Sequence, residues 1–263
     1  MRRMKTLVIV PTYNEADNLG PLVKEILRLS EFNILVVDDN SPDGTGEIAE
    51  ELKAEHPEHV YVLHRPGKLG LASAYITGFR FALAMNYDVV CQMDADFSHS
   101  PDYLPTFLKM VRYAHADVVI GSRYTEDGET KNWPRLRRWM SQGGSLYARL
   151  VLGMDLRDLT GGFKAFHRRA LEKLPLDKIQ ATGYAFQVEV NYLCHKAGLR
   201  MIEVPITFVD RRAGESKMNS RIFWEALLLV WKLRLGLGPS QRRSTLKRAP
   251  LNVPSPIRVK KDR

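Results

Sequence analysis

The first 120 residues alternate short, almost wholly apolar runs with longer segments whose apolar residues recur every three or four positions. The short runs predict strands at Lys5–Val10, Asn33–Val37, Val60–His64, Asp88–Met93 and Asp117–Ile120. The longer segments predict helices at Asp17–Leu29, Thr45–Glu55, Leu71–Met85 and Tyr103–Tyr113. Strands this apolar are typical of a parallel sheet covered on both faces. We therefore predict an α/β fold, with an open, doubly wound, mostly parallel sheet flanked by helices.

The second half of the chain is less regular. It predicts a loop at Glu126–Arg135, helices at Arg137–Leu152, Phe186–Ala197 and Arg221–Leu235, and a strand at Met201–Val209. We find no internal repeat and no second domain boundary, so we expect residues 1–240 to form one domain. Residues 241–263 contain eight basic residues, one acidic residue and three prolines, which predicts a basic, disordered tail.

The net charge of +9 is concentrated in this tail, which carries +7 and leaves the rest of the chain nearly balanced. A basic tail suits a polyanion such as nucleic acid or an anionic membrane face. A solvated terminus explains it equally well. The preceding domain has no RNA-binding signature, so we predict no nucleic-acid partner and keep a basic nucleic-acid-binding protein only as the alternative of a different class.

Two cysteines, Cys91 and Cys194, are too few for a disulfide framework and favour a reducing compartment. The apolar run after the N-terminus is too short for a signal peptide. The longest apolar stretch, 222–237, is interrupted by three charged residues. No segment reaches the roughly 18 apolar residues of a membrane span, so we expect a cytoplasmic protein that is soluble or peripheral on the cytoplasmic membrane face.

Polar clusters follow four of the predicted strands, where ligands bind in such sheets. Asp94 and Asp96 follow the fourth strand, and paired carboxylates are hard ligands for Mg²⁺ or Mn²⁺. The alternative is that Asp96 or Ser98 caps a helix. Asp38 and Asp39 form a second pair, whose burial requires donors such as those of a nucleobase or ribose. The alternative there is a turn, since turn-forming residues follow.

A third group of residues is basic and suits phosphate recognition, although each member could be an ordinary surface charge. Its members are Arg123, Lys131, Arg135, Arg137, Arg138, Arg211, Arg212 and Lys217. The chain lacks the glycine-rich motifs of P-loop and dinucleotide-binding proteins and the nucleophile elbow of hydrolases. Acidic and basic clusters at one sheet edge suit a phosphate-rich donor and a phosphorylated acceptor.

With these residues in place, the chain resembles glycosyltransferase family 2 over about residues 5–236, and within it the enzymes that transfer mannose to polyprenyl (dolichyl) phosphate. The stretches that carry the resemblance include 11–15, 37–45, 64–71, 93–96, 121–124, 158–163, 183–189, 208–211 and 214–217. The resemblance implies a GT-A type fold, GDP-mannose as donor, a polyprenyl monophosphate as acceptor and a divalent metal, Mg²⁺ or Mn²⁺.

The resemblance also assigns roles to residues. The donor nucleotide would be bound by Pro11, Tyr13, Glu15, Asp38, Asp39, Lys68, Asp94, Arg211 and Lys217. The acceptor phosphate would be bound by Arg123, Arg137 and Ser141. Asp94 and Asp96 would hold the metal, and with Arg123 and Arg211 they would act in catalysis. Ser98 stands where some relatives have a glutamine that adds a metal ligand.

The implied reaction is a single in-line displacement that inverts the anomeric carbon and yields polyprenyl-phosphate β-mannose and GDP. A phosphate monoester is already anionic at neutral pH, so no general base is assigned. The nearer alternative is the same reaction with UDP-glucose or another nucleotide sugar. Membrane contact would come from the basic tail and from an apolar helix face made of Ile222, Phe223, Leu227, Val230 and Trp231. A membrane-anchored partner subunit is the alternative means of bringing the site to the lipid.

Overall fold

The computed structural model describes residues 3–179, 181, 183–210 and 228–236. Within these residues the strands are β1 Thr6–Thr12, β2 Phe32–Asp38, β3 Val60–His64, β4 Val89–Gln92, β5 Val118–Ser122, β6 Glu129–Lys131, β7 Lys164–His167, β8 Met201–Pro205 and β9 Thr207–Val209. The helices are α1 Ala16–Leu27, α2 Thr45–Glu55, α3 Leu71–Ala84, α4 Leu104–Tyr113, α5 Arg135–Leu152, α6 Arg168–Lys173 and α7 Gly183–Lys196. Short 3₁₀ turns occupy Pro101–Tyr103 and Leu176–Lys178, and residues 228–234 are helical.

Seven of these strands form one sheet in the order β3-β2-β1-β4-β7-β5-β8. All neighbouring strands run parallel except β7, which lies antiparallel between β4 and β5. Helices cover both faces. Alternate residues of β1 enter two separate cores, with Leu7 and Ile9 on one face and Val8 and Val10 on the other. The predicted α/β class with a mostly parallel sheet is confirmed.

The predictions for the second half need three corrections. The predicted loop at Glu126–Arg135 contains β6, and α5 begins at Arg135, two residues before the expected start. The expected single strand at Met201–Val209 is two strands in different sheets, because β8 ends at Pro205, which has no amide hydrogen to donate, and β9 then pairs with β6. Strand β7 and helix α6 were not predicted.

Only part of the C-terminal region for which elements were predicted is described by the structure. Residues 211–227 and the tail 241–263 lie outside the described residues, as do Arg211, Arg212 and Lys217. In the helical segment at 228–234, Trp231 is half exposed, as expected for a membrane face. Val230 is only 3% exposed, because it packs into the core cluster that also contains Leu152, so its assignment to that face was wrong. Within the part of the chain that the structure describes, no helix is long and apolar enough to cross a membrane.

Candidate active site

The carboxyl ends of β1, β2, β4 and β5 meet at one edge of the sheet, because these strands run in the same direction. The four polar clusters predicted from the sequence therefore lie along one edge. Pro11 is on β1 opposite Val37 of β2, and Asp38 ends β2. Asp38 and Asp39 lie at the end of β2, and Asp94 and Asp96 follow β4. Only β1 separates these two strands in the sheet, so the two acidic pairs lie at the same edge, as the strand pattern predicted.

Asp38 is buried, and its carboxylate oxygens accept several hydrogen bonds from the chain. Oδ1 accepts from the Thr12 hydroxyl at 3.0 Å and the Ser41 hydroxyl at 2.6 Å, and Oδ2 accepts from the Ser41 amide at 3.1 Å. The turn that was the alternative explanation is thus present. Asp38 fixes the loop after β2, and its contact with a nucleotide remains a prediction.

Asp39 is also buried, and its charge is met by a basic residue that the sequence analysis did not single out. Arg65 donates to Asp39 Oδ1, and the amides of Leu69 and Gly70 donate to Oδ2 at 3.0 and 3.1 Å. Arg65 also bonds to the Ser73 hydroxyl and to the Gly70 carbonyl oxygen. Through these hydrogen bonds, Asp39 holds the loop after β3 against the end of β2.

The remaining predicted donor residues surround this loop. Lys68 Nζ lies 3.7 Å from the centre of the Tyr13 ring, a cation–π distance. The Glu15 carboxylate accepts a hydrogen bond from the Asn18 side chain at 2.9 Å, and the backbone amide of Glu15 donates to the Thr45 hydroxyl at 2.9 Å. An aromatic ring, a lysine and two ordered loops thus meet at the ends of β1 and β2, a suitable place for a flat base and its phosphates.

Asp94 and Asp96 lie where β4 meets the loop that follows it. Asp94 Oδ1 accepts from the Tyr75 hydroxyl at 2.7 Å, and Asp96 Oδ1 accepts from the Ser98 amide at 3.0 Å. Neither Asp96 nor Ser98 caps the next helical turn. That cap is Ser100, whose hydroxyl accepts from the Asp102 amide.

The donor chemistry of the two carboxylates decides which kind of metal site they suit. Among the described residues, no group of three or more His, Cys, Asp or Glu side chains is placed to hold a metal ion. Mg²⁺ and Mn²⁺ sites that act on phosphates commonly use only one or two carboxylates and leave other positions to water and phosphate oxygens. The pair Asp94 and Asp96 fits such an ion and does not fit a closed structural metal site.

Arg123, at the end of β5, forms a buried ion pair that the sequence analysis missed. Its Nε and Nη2 each donate to Asp158 at 2.7 Å, and Nη2 also donates to the Thr160 hydroxyl at 2.7 Å. Asp158 is 0% exposed and also accepts from the Gly161 amide. Burial alone would favour the protonated acid, but the Arg123 guanidinium and these donors hold the pKa of Asp158 below its usual value.

The structure brings the three predicted acceptor residues around two aromatic side chains. The guanidinium carbons of Arg123 and Arg137 lie 5.5 and 4.4 Å from the centre of the Trp133 ring. The Tyr124 hydroxyl donates to Ser141 Oγ at 2.7 Å, and burial raises the pKa of Tyr124 above its usual value. Arg137 Nη1 also donates to both Asp210 oxygens, at 2.9 and 3.0 Å. Arg137 and Ser141 share α5, as their spacing predicted.

A buried lysine beneath the site was not predicted. Lys164 Nζ donates to the side-chain oxygen of Gln187 at 2.6 Å, and the residue is 0% exposed. Burial lowers the pKa of Lys164 to about 7, since a charged ammonium is costly to desolvate. Its only signal in the sequence was a single lysine between apolar residues. His99 packs against the rings of Phe163 and Phe208.

Comparisons with known proteins show which family this chain is similar to. The family model described as glycosyl transferase family 2 matches residues 7–175. The undecaprenyl-phosphate mannosyltransferase of Micrococcus luteus is 49% identical over 86% of this chain and 93% of its own. The polyprenol monophosphomannose synthase of Mycolicibacterium smegmatis is 43% identical over 88% of each chain. The dolichol-phosphate mannosyltransferase of Pyrococcus furiosus is 37% identical over 88% of this chain and 64% of its own length.

Solved structures of glycosyltransferases share the fold. Glucosyl-3-phosphoglycerate synthase from Mycobacterium tuberculosis, in complex with Mn²⁺, UDP and glucosyl-3-phosphoglycerate, aligns with a TM-score of 0.63 and 19% identity over 90% of this chain and 82% of its own. A mannosyltransferase from Pyrobaculum calidifontis, in complex with GDP-Man and Mn²⁺, aligns with a TM-score of 0.55 and 20% identity over 88% and 70%. The predicted GT-A type fold is confirmed, and the chain belongs to glycosyltransferase family 2.

Proposed function

We propose that this protein transfers mannose from GDP-mannose to a polyprenyl (dolichyl) monophosphate, giving polyprenyl-phosphate β-mannose and GDP. The names of its relatives support mannose transfer to a polyprenyl phosphate, and GDP-Man is the ligand named with the structurally similar mannosyltransferase from Pyrobaculum calidifontis. The observation that carries the proposal is the division of the site into two parts. An acidic pair, Asp94 and Asp96, lies after β4, and an arginine pair, Arg123 and Arg137, meets at Trp133 beyond β5. The two parts suit a metal-bound diphosphate and a separate phosphate monoester.

On the donor side, the ends of β1 and β2 provide the nucleotide site. Tyr13 and Lys68 offer a ring and a cation to the base and phosphates, while Asp38 and Asp39 keep the two loops in place. Asp94 and Asp96 would hold Mg²⁺ or Mn²⁺, which when bound screens the charge of the diphosphate. Arg211 and Lys217, which the resemblance assigns to the diphosphate, would complete this charge screening.

On the acceptor side, the arginines bind and orient an anion. A phosphate monoester needs no deprotonation at neutral pH, so positioning and charge screening suffice for attack. Arg123 is held rigidly by Asp158, whereas Arg137 is paired with the partly exposed Asp210 and can exchange that partner for a phosphate. Attack from the face opposite the departing GDP inverts the anomeric carbon and gives the β-linked product.

The donor and acceptor are tested by measuring GDP or UDP release with each nucleotide sugar, with and without a polyprenyl phosphate in detergent. We expect release from GDP-mannose that depends on the lipid phosphate, is abolished by Asp94→Ala and by EDTA, and returns with added Mn²⁺. Faster lipid-dependent release from UDP-glucose would replace the donor with the alternative. Full turnover in EDTA would contradict the metal assignment.

We further propose that the protein binds peripherally to the cytoplasmic side of a membrane. The surface that makes this contact is called the α5 face. Of the eleven large apolar side chains that are exposed among the described residues, eight lie on α5 or in segment 228–236. They are Leu136, Trp139, Met140, Leu146, Leu150, Leu228, Trp231 and Leu235. The segment contacts the end of α5: Val230 and Leu233 belong to the same core cluster as Leu152, and a Cβ on Gly153 would lie 3.8 Å from Nη1 of Arg234.

The charges on α5 suit an anionic lipid surface. The helix carries four arginines and no acidic residue, and its N-terminal half holds Arg137 and Ser141 of the acceptor site. Apolar side chains flanked by arginines are typical of helices that lie in the membrane interface. A lipid phosphate bound at Arg137 would therefore have its chain close to the bilayer.

Vesicle sedimentation tests this surface. We expect Trp139→Ser combined with Leu150→Ser to weaken binding to anionic vesicles about tenfold or more, because each loses an apolar side chain that is more than 70% exposed in the free protein. Tyr113→Ser, at an exposed site on α4, is the matched control. Deleting 241–263 should weaken binding mainly at low salt. Equal binding by all variants would contradict the assignment of membrane contact to the α5 face and the tail.

A further inference from the structure

The Tyr75 side chain lies beneath the acidic pair and is held firmly in place. It is 0% exposed in the middle of α3. Its ring stacks on Phe186 of α7, with the ring centres 6.2 Å apart and the planes 3° from parallel. Phe79 also stacks on it, at 6.5 Å and 24°. A large buried ring packed against two others has little freedom, so the position of its hydroxyl is fixed.

That hydroxyl reaches the metal-site candidate from a distant element. Tyr75 donates to Asp94 Oδ1 at 2.7 Å across 19 residues of sequence. The other oxygen of Asp94 faces the backbone of Gly162, where a Cβ would lie 3.5 Å from Oδ2. The same Cβ would lie 3.4 Å from Nε2 of Gln187, whose side-chain oxygen is held by Lys164. The carboxylate of Asp94 therefore lies between a fixed hydroxyl and a close-packed glycine.

Asp96 is supported differently. One hydrogen bond that its Oδ1 accepts comes from the amide of Ser98, two residues away, and belongs to the local turn. That contact lies within the loop after β4, whereas the hydroxyl that contacts Asp94 comes from α3, which packs against α7. A carboxylate that ligates a metal binds more tightly when a second group fixes its orientation, and losing that group typically costs 10–100-fold in metal affinity.

We propose that Tyr75 is a positioning residue, which orients the Asp94 carboxylate for a divalent cation and donor diphosphate through its hydroxyl. This inference rests on the proposed function, which places the cation at Asp94 and Asp96. Tyr75 itself touches neither substrate. Its effect is on the affinity of the site for metal, and the chemical step is affected only through that affinity.

The test is Mn²⁺ binding in the presence of GDP, measured by calorimetry or by the loss of the free Mn²⁺ spin-resonance signal. Tyr75→Phe removes only the hydroxyl, and we expect it to weaken Mn²⁺ binding about tenfold or more. Turnover should recover when Mn²⁺ is raised to saturation. The matched control is Tyr87→Phe, because Tyr87 is also 0% exposed and its hydroxyl accepts from Asn33, away from the site. Its Mn²⁺ affinity should equal that of the wild type.

Further variants separate the outcomes. Phe186→Leu keeps the hydroxyl but removes the stacked ring, so we expect a smaller loss of Mn²⁺ affinity, and it serves if Tyr75→Phe does not fold. Asp94→Asn is the reference for the metal site. If Asp94→Asn weakens Mn²⁺ binding but Tyr75→Phe does not, the positioning role is overturned and the proposed function stands. If Asp94→Asn binds like the wild type, the metal site and the role of Tyr75 both fail.

Discussion

Replacing Asp158 by Asn tests whether the Arg123 ion pair stabilises the acceptor side of the site. The carboxylate is fully buried and accepts from the Nε, Nη2 and amide groups of Arg123 and from the amide of Gly161. Asparagine has nearly the same shape, but one of its two terminal atoms is a donor. In this pocket that amide nitrogen would face other donors, and the guanidinium would lose its counter-charge.

The size of the effect follows from the burial of both partners. The side chains of Arg123 and Asp158 are 6% and 0% exposed, so water cannot compensate for the missing charge. Removing one member of such a pair typically costs about 3–5 kcal/mol. For a domain of this size, where 1 kcal/mol shifts the melting temperature by about 2–4 °C, the expected fall is about 6–20 °C.

Thermal and urea unfolding measure this difference directly. The matched control is Asp155→Asn, because Asp155 also pairs with an arginine, Arg149, at 2.7 Å but is 96% exposed. Its midpoint should match that of the wild type, since exposed pairs contribute little. If Asp158→Asn and Asp155→Asn unfold at the same temperature, the assigned role of the buried pair is refuted.

Three further changes should have distinct effects. Burial lowers the pKa of Lys164 to about 7, so between pH 7 and about pH 10 this lysine is largely neutral in the folded protein and protonated in the unfolded chain. The unfolding free energy should therefore rise with pH in this range, by up to about 1.4 kcal/mol per pH unit. Lys164→Met should remove that slope in urea unfolding at pH 7 and 9. Gly78→Ala should destabilise by about 1–3 kcal/mol, because its Cβ would lie 2.7 Å from Ile9, whereas Gly20→Ala, with nothing within 4 Å, should not. Arg137→Ala should raise the KM for polyprenyl phosphate and leave GDP binding unchanged by calorimetry.

The sheet was predictable where single strands are mostly apolar. β1 and β2 are almost entirely buried and lie between clear turn signals, so both were predicted to within a residue or two. β7 was missed because it has only four residues and starts with Lys164, a residue that usually marks a surface. The division between β8 and β9 depends on pairing with β6, and no local pattern reveals that partner.

Site residues that stand close together in sequence were predictable, whereas ion-pair partners that stand far apart in sequence were not. Asp94 and Asp96 stand two residues apart after an apolar strand, so the pair was visible. Arg65 meets Asp39 across 26 residues, and Arg123 meets Asp158 across 35. Nothing in the alternation of polar and apolar residues indicates which charge pairs with which. These partners follow from the crossing of strands and loops at the sheet edge.

The most direct test of the proposed function is recovery of labelled sugar in lipid. The protein is incubated with GDP-mannose labelled in the sugar, Mn²⁺ and a polyprenyl phosphate, and the lipid is extracted and its anomeric linkage determined by nuclear magnetic resonance. We predict label in the organic phase as a β-linked mannosyl phosphate, absent without metal or with Asp94→Ala. Label that stays in the aqueous phase would contradict transfer to the lipid, and an α-linked product would contradict the single inverting displacement.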